Sequence, residues 1–230
     1  MVVNRGNRLC NLNIHIKDEI IENVKSFKYL GFTIGAKNCS FRNTPIDLSI
    51  KAKRAIFTLN NKIKLSLIPI RLALKIFMTQ ISPILLYGSE IWGAYLDYDY
   101  QLWEKSETEK VLTQFLKRIL GCAIQTPNLM VRSEVGIRPL LSNIIKQYIL
   151  YIESIDQCNE ILANQALEIE IDLRDENNFL SLVRKYTPFY QEQNNFLAPT
   201  NKIEAKNHVL QNYDEIWKHD INLSTKASSF

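Results

Sequence analysis

The residues able to attack, ligate or move protons are dispersed in this chain. His15, His208 and His219 lie far apart and form no helical pair of the kind that sets two imidazoles on one face. Cys10, Cys39, Cys122 and Cys158 are equally scattered, so neither a C-x-x-C zinc or redox pair nor a dense disulfide frame is expected, and reduced structural thiols are. Ser89 follows a glycine in "YGSEIWG" but lacks the G-x-S-x-G elbow that exposes a nucleophile. Neither a P-loop nor a G-x-G-x-x-G turn is present. Carboxylates that hold two metal ions must converge within a few ångströms. The nearest groupings are Asp97 with Asp99 in an aromatic loop, and Glu168, Glu170 and Asp172 in a weakly patterned tail; both read as solvated surface. No catalytic residue and no metal ligand is assigned, and no cofactor is expected for this chain alone.

Positive charge is the chemistry that remains. The 230 residues carry 28 Lys and Arg against 24 Asp and Glu, a net +4. That figure conceals an asymmetry. Residues 1–75 hold 14 basic against 4 acidic side chains, a balance of +10, which leaves 14 against 20, or −6, for residues 76–230. A basic surface of that density is suited to a polyanion, and nucleic acid is the partner it implies. Lys51, Lys53, Arg54, Lys62 and Lys64 are its densest part. Glu90 lies between apolar residues, and a buried acid needs a partner. Backbone amides or Arg118 would supply one, or Glu90 reaches water from a helix end. Tyr87, Trp92, Tyr95, Tyr98, Tyr100 and Trp103 mark a connection; stacked bases or helix packing would use them, and packing is expected because they lie outside the basic half.

Elements must position these groups. "LNIHIKDEIIENV" alternates Leu12, Ile14 and Ile16, turns through Lys17-Asp18-Glu19, and resumes at Ile20, Ile21 and Val24, the pattern of a hairpin. A strand from Phe27 to Ile34 follows, with Gly31 in its middle as either a bulge or a point of close approach by another backbone or a ligand. From Pro45 the period becomes helical, with Thr44, Pro45 and Asp47 as cap, first-turn proline and early acid. Leu48, Ala52, Ala55, Ile56, Leu59 and Ile63 fall on one side of that helix, and the basic residues cover the rest. "IRLALKIFMTQISPILLYG" predicts a helix apolar around nearly its whole circumference and kinked at Pro83. The uncharged run from Ile76 to Ser89 is 14 residues, short of the roughly 20 a membrane span needs, and reads as a buried core helix. A third helix carries Val111, Leu112, Phe115, Leu116, Ile119 and Leu120 and stops at Gly121. A short helix in "TPNLMVRSEVGIRPLL", a longer one through "NIIKQYILYIESI", and helical segments at 168–186 and 207–220 complete the reading. The fold class expected is α+β, mainly α, with antiparallel strands followed by a helical bundle.

The succession "FKYLGFTIG", "KAKRAIFTLNNKI", "PILLYGSEIWG", "FLKRILGCAIQTPNLMVRSEVGIRPL" resembles the carboxy-terminal part of reverse transcriptases of non-LTR, LINE-type retrotransposons over roughly Val2 to Asp156. The resemblance implies a palm-edge and primer-grip-like β element over 1–44, a thumb-like helical domain over 45–158, and a helical tail over 159–230. It implies that Tyr29, Leu30 and Gly31 of a primer-grip hairpin approach the primer, while the basic helix, with Lys51, Lys53, Arg54, Lys62 and Lys64, faces phosphates of template and primer. The family's paired aspartates have no counterpart, since no Asp-Asp occurs anywhere in the sequence, and the upstream endonuclease and any RNase H signature are also without a match. On this resemblance the chain begins just after the catalytic motif, and Mg2+ belongs only to the complete parent polymerase.

Three functions stay open. The chain is a catalytically incomplete reverse transcriptase fragment that binds RNA or DNA without sequence preference; or it is one piece of an active RNA-directed DNA polymerase completed by palm and fingers encoded upstream or on another chain; or it is a protein-interaction scaffold or inert relic. No membrane partner is expected, and without a signal peptide in "MVVNRGNRLCNLN" an intracellular location, nuclear or cytoplasmic, is.

Overall fold

The computed structural model describes residues 15–16, 19–20, 24–35, 41, 43–93 and 103–156, with 165, 211 and 218 as isolated positions. Asp97, Asp99, Tyr95, Tyr98, Tyr100, Cys10, Cys39, Cys158, His208, His219 and the expected helices at 168–186 and 207–220 lie outside them, as does the acidic group at Glu168, Glu170 and Asp172.

Two hairpins come first. β1 (His15–Ile16) pairs antiparallel with β2 (Glu19–Ile20), His15 opposite Ile20 and Ile16 opposite Glu19, so Glu19 joins the strand rather than the turn. β3 (Ser26–Tyr29) pairs with β4 (Phe32–Gly35), Tyr29 opposite Phe32. The single strand expected from Phe27 to Ile34 is therefore corrected to a hairpin. Leu30 has φ 46° and Gly31 φ 92°, and two successive positive φ values make the tight two-residue connection whose twist matches that of the strands it joins. Apolar residues stand on both sides of the turn, which is why periodicity alone does not reveal it.

The rest is helical, and the chain as described is α+β, mainly α. α1 (Asn43–Ile63) leads through a short 3-10 turn (Leu65–Leu67) to α2 (Ile70–Ile76) and α3 (Ser82–Leu85). Between α2 and α3 lies a wider π turn, Phe77–Ile81, in which the Ser82 amide bonds the Phe77 carbonyl five residues back. Pro83, which follows the π turn, has no amide hydrogen to continue an α ladder. The run is buried on one side only: Ala73, Phe77, Ile81 and Leu85 are enclosed, whereas Ile70, Leu72 and Met78 are exposed. The buried core helix expected from Ile76 to Ser89 is thus buried on one face, with Met78 and Tyr87 exposed, because neighbours cover only that face. α4 (Ser89–Trp92), α5 (Glu107–Leu120), α6 (Asn128–Val135) and α7 (Leu140–Asp156) follow.

α5 is the centre of the bundle, packed against α1, α2, α6 and α7. Its Val111, Leu112, Phe115, Leu116 and Ile119 are buried as the spacing predicts. They meet Leu48, Ala52 and Ile56 of α1, Phe77 of the π turn, and Leu140, Leu141 and Ile144 of α7 in one cluster. The Phe77 and Phe115 rings lie 4.7 Å apart between centroids. Each such side chain, fully buried, contributes about 1.5–3 kcal/mol. Local signals frame α5 at both ends. Ser106 accepts a bond from the Glu109 amide at the start. At the finish Gly121 adopts φ 68°, and the Gly121 and Cys122 amides bond the carbonyls of Arg118 and Lys117, the pattern that closes a helix on glycine.

The acid needing a buried partner is Glu109, while Glu90 is only half-buried. Both Glu109 and Arg132 are fully enclosed, and Arg132 donates to Glu109 Oε1 at 3.0 Å and also to Glu104. Glu109 Oε2 accepts from the Trp103 indole N–H at 2.8 Å and from the Leu140 amide at 3.0 Å. One carboxylate thus ties the entry to α5, α6 and the start of α7 together. Burial pushes the Glu109 pKa up, while Arg132, the indole and the Leu140 amide pull it back down.

Candidate nucleic-acid interface

Thr44, expected as the cap of α1, and Asp47, expected as its early acid, lie inside a helix that starts at Asn43 and work across the chain instead. The Thr33 amide donates to Thr44 Oγ1 at 3.0 Å, the Thr44 hydroxyl donates to the Thr33 carbonyl at 3.2 Å, and the Thr33 hydroxyl donates to Asp47 Oδ2 at 2.6 Å. These three bonds pin β4 to the first turns of α1. The second tether lies at the hairpin tip, where the Tyr87 hydroxyl donates to the Leu30 carbonyl at 2.9 Å. The Tyr87 ring lies 5.6 Å from that of Phe32. A methyl group on Gly31 would come within 2.9 Å of the same ring. The close approach expected at Gly31 is therefore that of a side chain, while Tyr29 and Leu30 project outward, 58% and 68% exposed.

On α1 the buried face is Leu48, Ser49, Ala52 and Ile56. Ala55 and Leu59 are half-buried, and Ile63, expected inside, is exposed near the end of the helix where packing stops. Lys51, Arg54 and Lys62 are exposed and recur at spacings of three and eight residues, close to whole turns of a 3.6-residue helix, so they share one flank. Among the described residues none of the three forms an ion pair. Lys64 is also exposed but falls beyond the helix, in the left-handed region at φ 41°. Lys53 departs from the group. It leaves the opposite flank and reaches Glu107 Oε2 of α5 at 3.0 Å, while Lys110 holds Glu107 Oε1 at 2.9 Å. Lys110, then Lys53, hold the Glu107 carboxyl below its ordinary value. One cation counted in the basic half is thus answered by an acid from the distal part.

That flank of α1 borders a groove of about 760 Å³ against α5. Its floor is apolar, made by Ile56, Val111 and Phe115, and its rim carries Lys53, Lys110, Lys117 and Arg118. Phe57 and Ile124 stand in it largely bare, at 65% and 85% exposure, and the free thiol of Cys122 lines it as well. Lys117 donates to the Ile124 carbonyl at 2.8 Å. Among the described residues no carboxylate lines this groove, although Glu107 holds two of its rim lysines.

The sequence points to the α1 cations as candidates and does not single out those of α5. Lys110, Lys117 and Arg118 lie in the part of the chain whose total is acidic, and only the packing of α1 on α5 brings them beside Phe57. The signal available was local: lysine and arginine in the last turn of a helix preceding a glycine stop. Of the aromatic residues in the connection, Trp92 and Trp103 are buried in packing, as expected, and the Trp92 indole bonds the Tyr87 carbonyl at 2.8 Å. Ser89 is enclosed and bonds the Gln147 side chain, a structural contact. Among the described residues no group of three His, Cys, Asp or Glu is placed to hold a metal ion, and no helix is long and apolar enough to cross a membrane. No family model, curated protein or solved structure matches the chain.

Proposed function

We propose that this chain is the carboxy-terminal part of a non-LTR, LINE-type reverse transcriptase, catalytically incomplete in itself, and that it holds a strand of RNA or DNA by its phosphates without regard to sequence. The observation that supports this best is the flank of α1: Lys51, Arg54 and Lys62 exposed in line, on a helix whose start is pinned to the β3–β4 hairpin by Thr33, Thr44 and Asp47. A row of exposed cations on a helix whose first turns are tied to β4 suits a sugar-phosphate backbone that runs along it. Lys64 extends the row, and Lys53 contributes less because Glu107 competes for it.

The test is a titration of labelled primer-template hybrid at two salt concentrations. Each phosphate contact should add roughly −0.7 to −0.9 to the slope of log K against log salt. Replacing Lys51, Arg54 and Lys62 together by Glu should abolish binding and leave the helical circular dichroism unchanged, since all three point away from the core. Affinity indifferent to salt, or a folded triple variant that binds like the parent, would refute the reading.

A second reading is favoured by β3. All four of its residues are exposed, and Phe27 and Tyr29 leave more than half their surface bare. A sheet from palm and fingers on another chain would cover such a strand, making this protein one piece of an active RNA-directed DNA polymerase that uses Mg2+ bound elsewhere. Primer extension in the same titration, with and without that second piece, separates the two.

A further inference from the structure

We infer that the groove between α1 and α5 takes a single-stranded segment of nucleic acid, with one base stacked on Phe57 and the adjoining phosphates held by Lys117 and Arg118. This rests on the nucleic-acid reading above but concerns a surface distinct from the row of Lys51, Arg54 and Lys62.

The groove divides as a nucleotide does. Ile56, Val111 and Phe115 give it an apolar floor, and of the four cations around that floor Lys53 and Lys110 are held by Glu107, which leaves Lys117 and Arg118 as the charge it offers. An anion with a flat apolar part satisfies both regions together. Phe57 identifies the flat part. Its ring is 65% exposed although Phe77 and Phe115 nearby are buried, and every nucleobase has a face that stacks on an aromatic ring whatever its identity. The rim supplies the charge. Lys117 uses one donor on the Ile124 carbonyl, which leaves two of an ammonium's three for a phosphate. Arg118 is exposed on the same stretch of α5 and, among the described residues, has no ion pair.

Size decides between one strand and two. A groove of about 760 Å³ falls in the range that encloses a compact ligand, about 300–1,000 Å³. A duplex, whose major groove alone is about 12 Å wide, does not enter it, and its bases are already stacked on each other. An acidic peptide would match the rim but offers no planar face for Phe57.

Cys122 is a built-in reporter, because its thiol lines the same groove. Oligo(U) and oligo(dT) of about ten nucleotides, within the span such grooves accept, are titrated against the full chain beside a duplex of equal length, and alkylation of Cys122 is followed by mass spectrometry. Both single strands should slow alkylation of Cys122, and the duplex should not. Phe57→Ala should weaken single-strand binding roughly ten- to a hundredfold while duplex affinity stays as it was, and Phe57→Trp should restore it. Because the ring is largely outside the core, the alanine variant should melt with the parent. Binding of duplex that depends on Lys51, Arg54 and Lys62, with Cys122 unprotected and Phe57→Ala silent, overturns this inference alone. Failure of every oligonucleotide to bind overturns the nucleic-acid reading itself. Protection of Cys122 by poly-Glu peptide but not by oligonucleotide assigns the groove to acidic protein and overturns the inference too.

Discussion

Replacing Glu109 by Leu removes a buried acceptor while keeping the side chain's approximate size. Three donors lose their partner: the Arg132 guanidinium at 3.0 Å, the Trp103 indole at 2.8 Å and the Leu140 amide at 3.0 Å. Arg132 is the costly one, since its side chain has no exposed surface and loses a carboxylate that is itself fully buried, whereas Glu104 is partly exposed. Breaking a buried pair by removing one member costs about 3–5 kcal/mol, out of a total stability on the order of 5–15 kcal/mol. At about 2–4 °C per kcal/mol for a chain of this size, the midpoint of thermal unfolding should fall by roughly 10 °C. Urea unfolding followed by tryptophan fluorescence is the natural assay, because Trp103 is one of the donors. Arg132→Met should be as damaging. The double variant should recover part of the loss, since the fully buried pair is removed together, while Glu104, the Trp103 indole and the Leu140 amide still each lose a partner. A single variant that costs less than about 1 kcal/mol, or a double variant whose cost equals the sum of the two singles, would show that the pair is not coupled as the geometry requires.

The remaining predictions concern pH and backbone. Burial raises the Glu109 pKa above its ordinary 4.5, so this group's contribution is fully present below that value and is lost as pH rises through the folded-state pKa; Glu109→Leu should lack that slope when both proteins are unfolded in urea across the range. Glu107 acts in the opposite sense: its lowered pKa gives a contribution present above 4.5 and lost as pH falls through the folded value, small because the pair with Lys110 and Lys53 is exposed. Gly88→Ala should destabilise far more than Gly121→Ala. Both have φ near 65–68°, but a new Cβ at Gly88 would meet the Phe32 ring at 2.1 Å, whereas at Gly121 it meets nothing within 4 Å; equal melting temperatures would sink this account. Tyr87→Phe should cost about 1 kcal/mol and speed hydrogen exchange at the β3–β4 tip, which loses its bond from the hydroxyl to Leu30.

Local regularities carried much of this protein in the order of its residues. The 3.6-residue recurrence from Val111 to Ile119, the Gly121 stop, the helical turn at Asn128–Val135 and the row of cations along one flank of α1 all depend on neighbours within a few turns. A chain can signal those without folding. The hairpin turn at Leu30–Gly31 was only half legible, because apolar residues on both sides mimic one continuous strand and the deciding contact, Tyr87 with Leu30, spans 57 positions. Glu109 and Arg132 are separated by 23 residues, and nothing around either one distinguishes it from a surface charge. Lys53 looked like the other cations of its helix until Glu107, 54 residues on, was placed beside it. The groove at Phe57 has the same origin: helix period states which residues share a side, but only the packing of α1 on α5 states which sides meet, because that choice is made by buried area summed over the whole core.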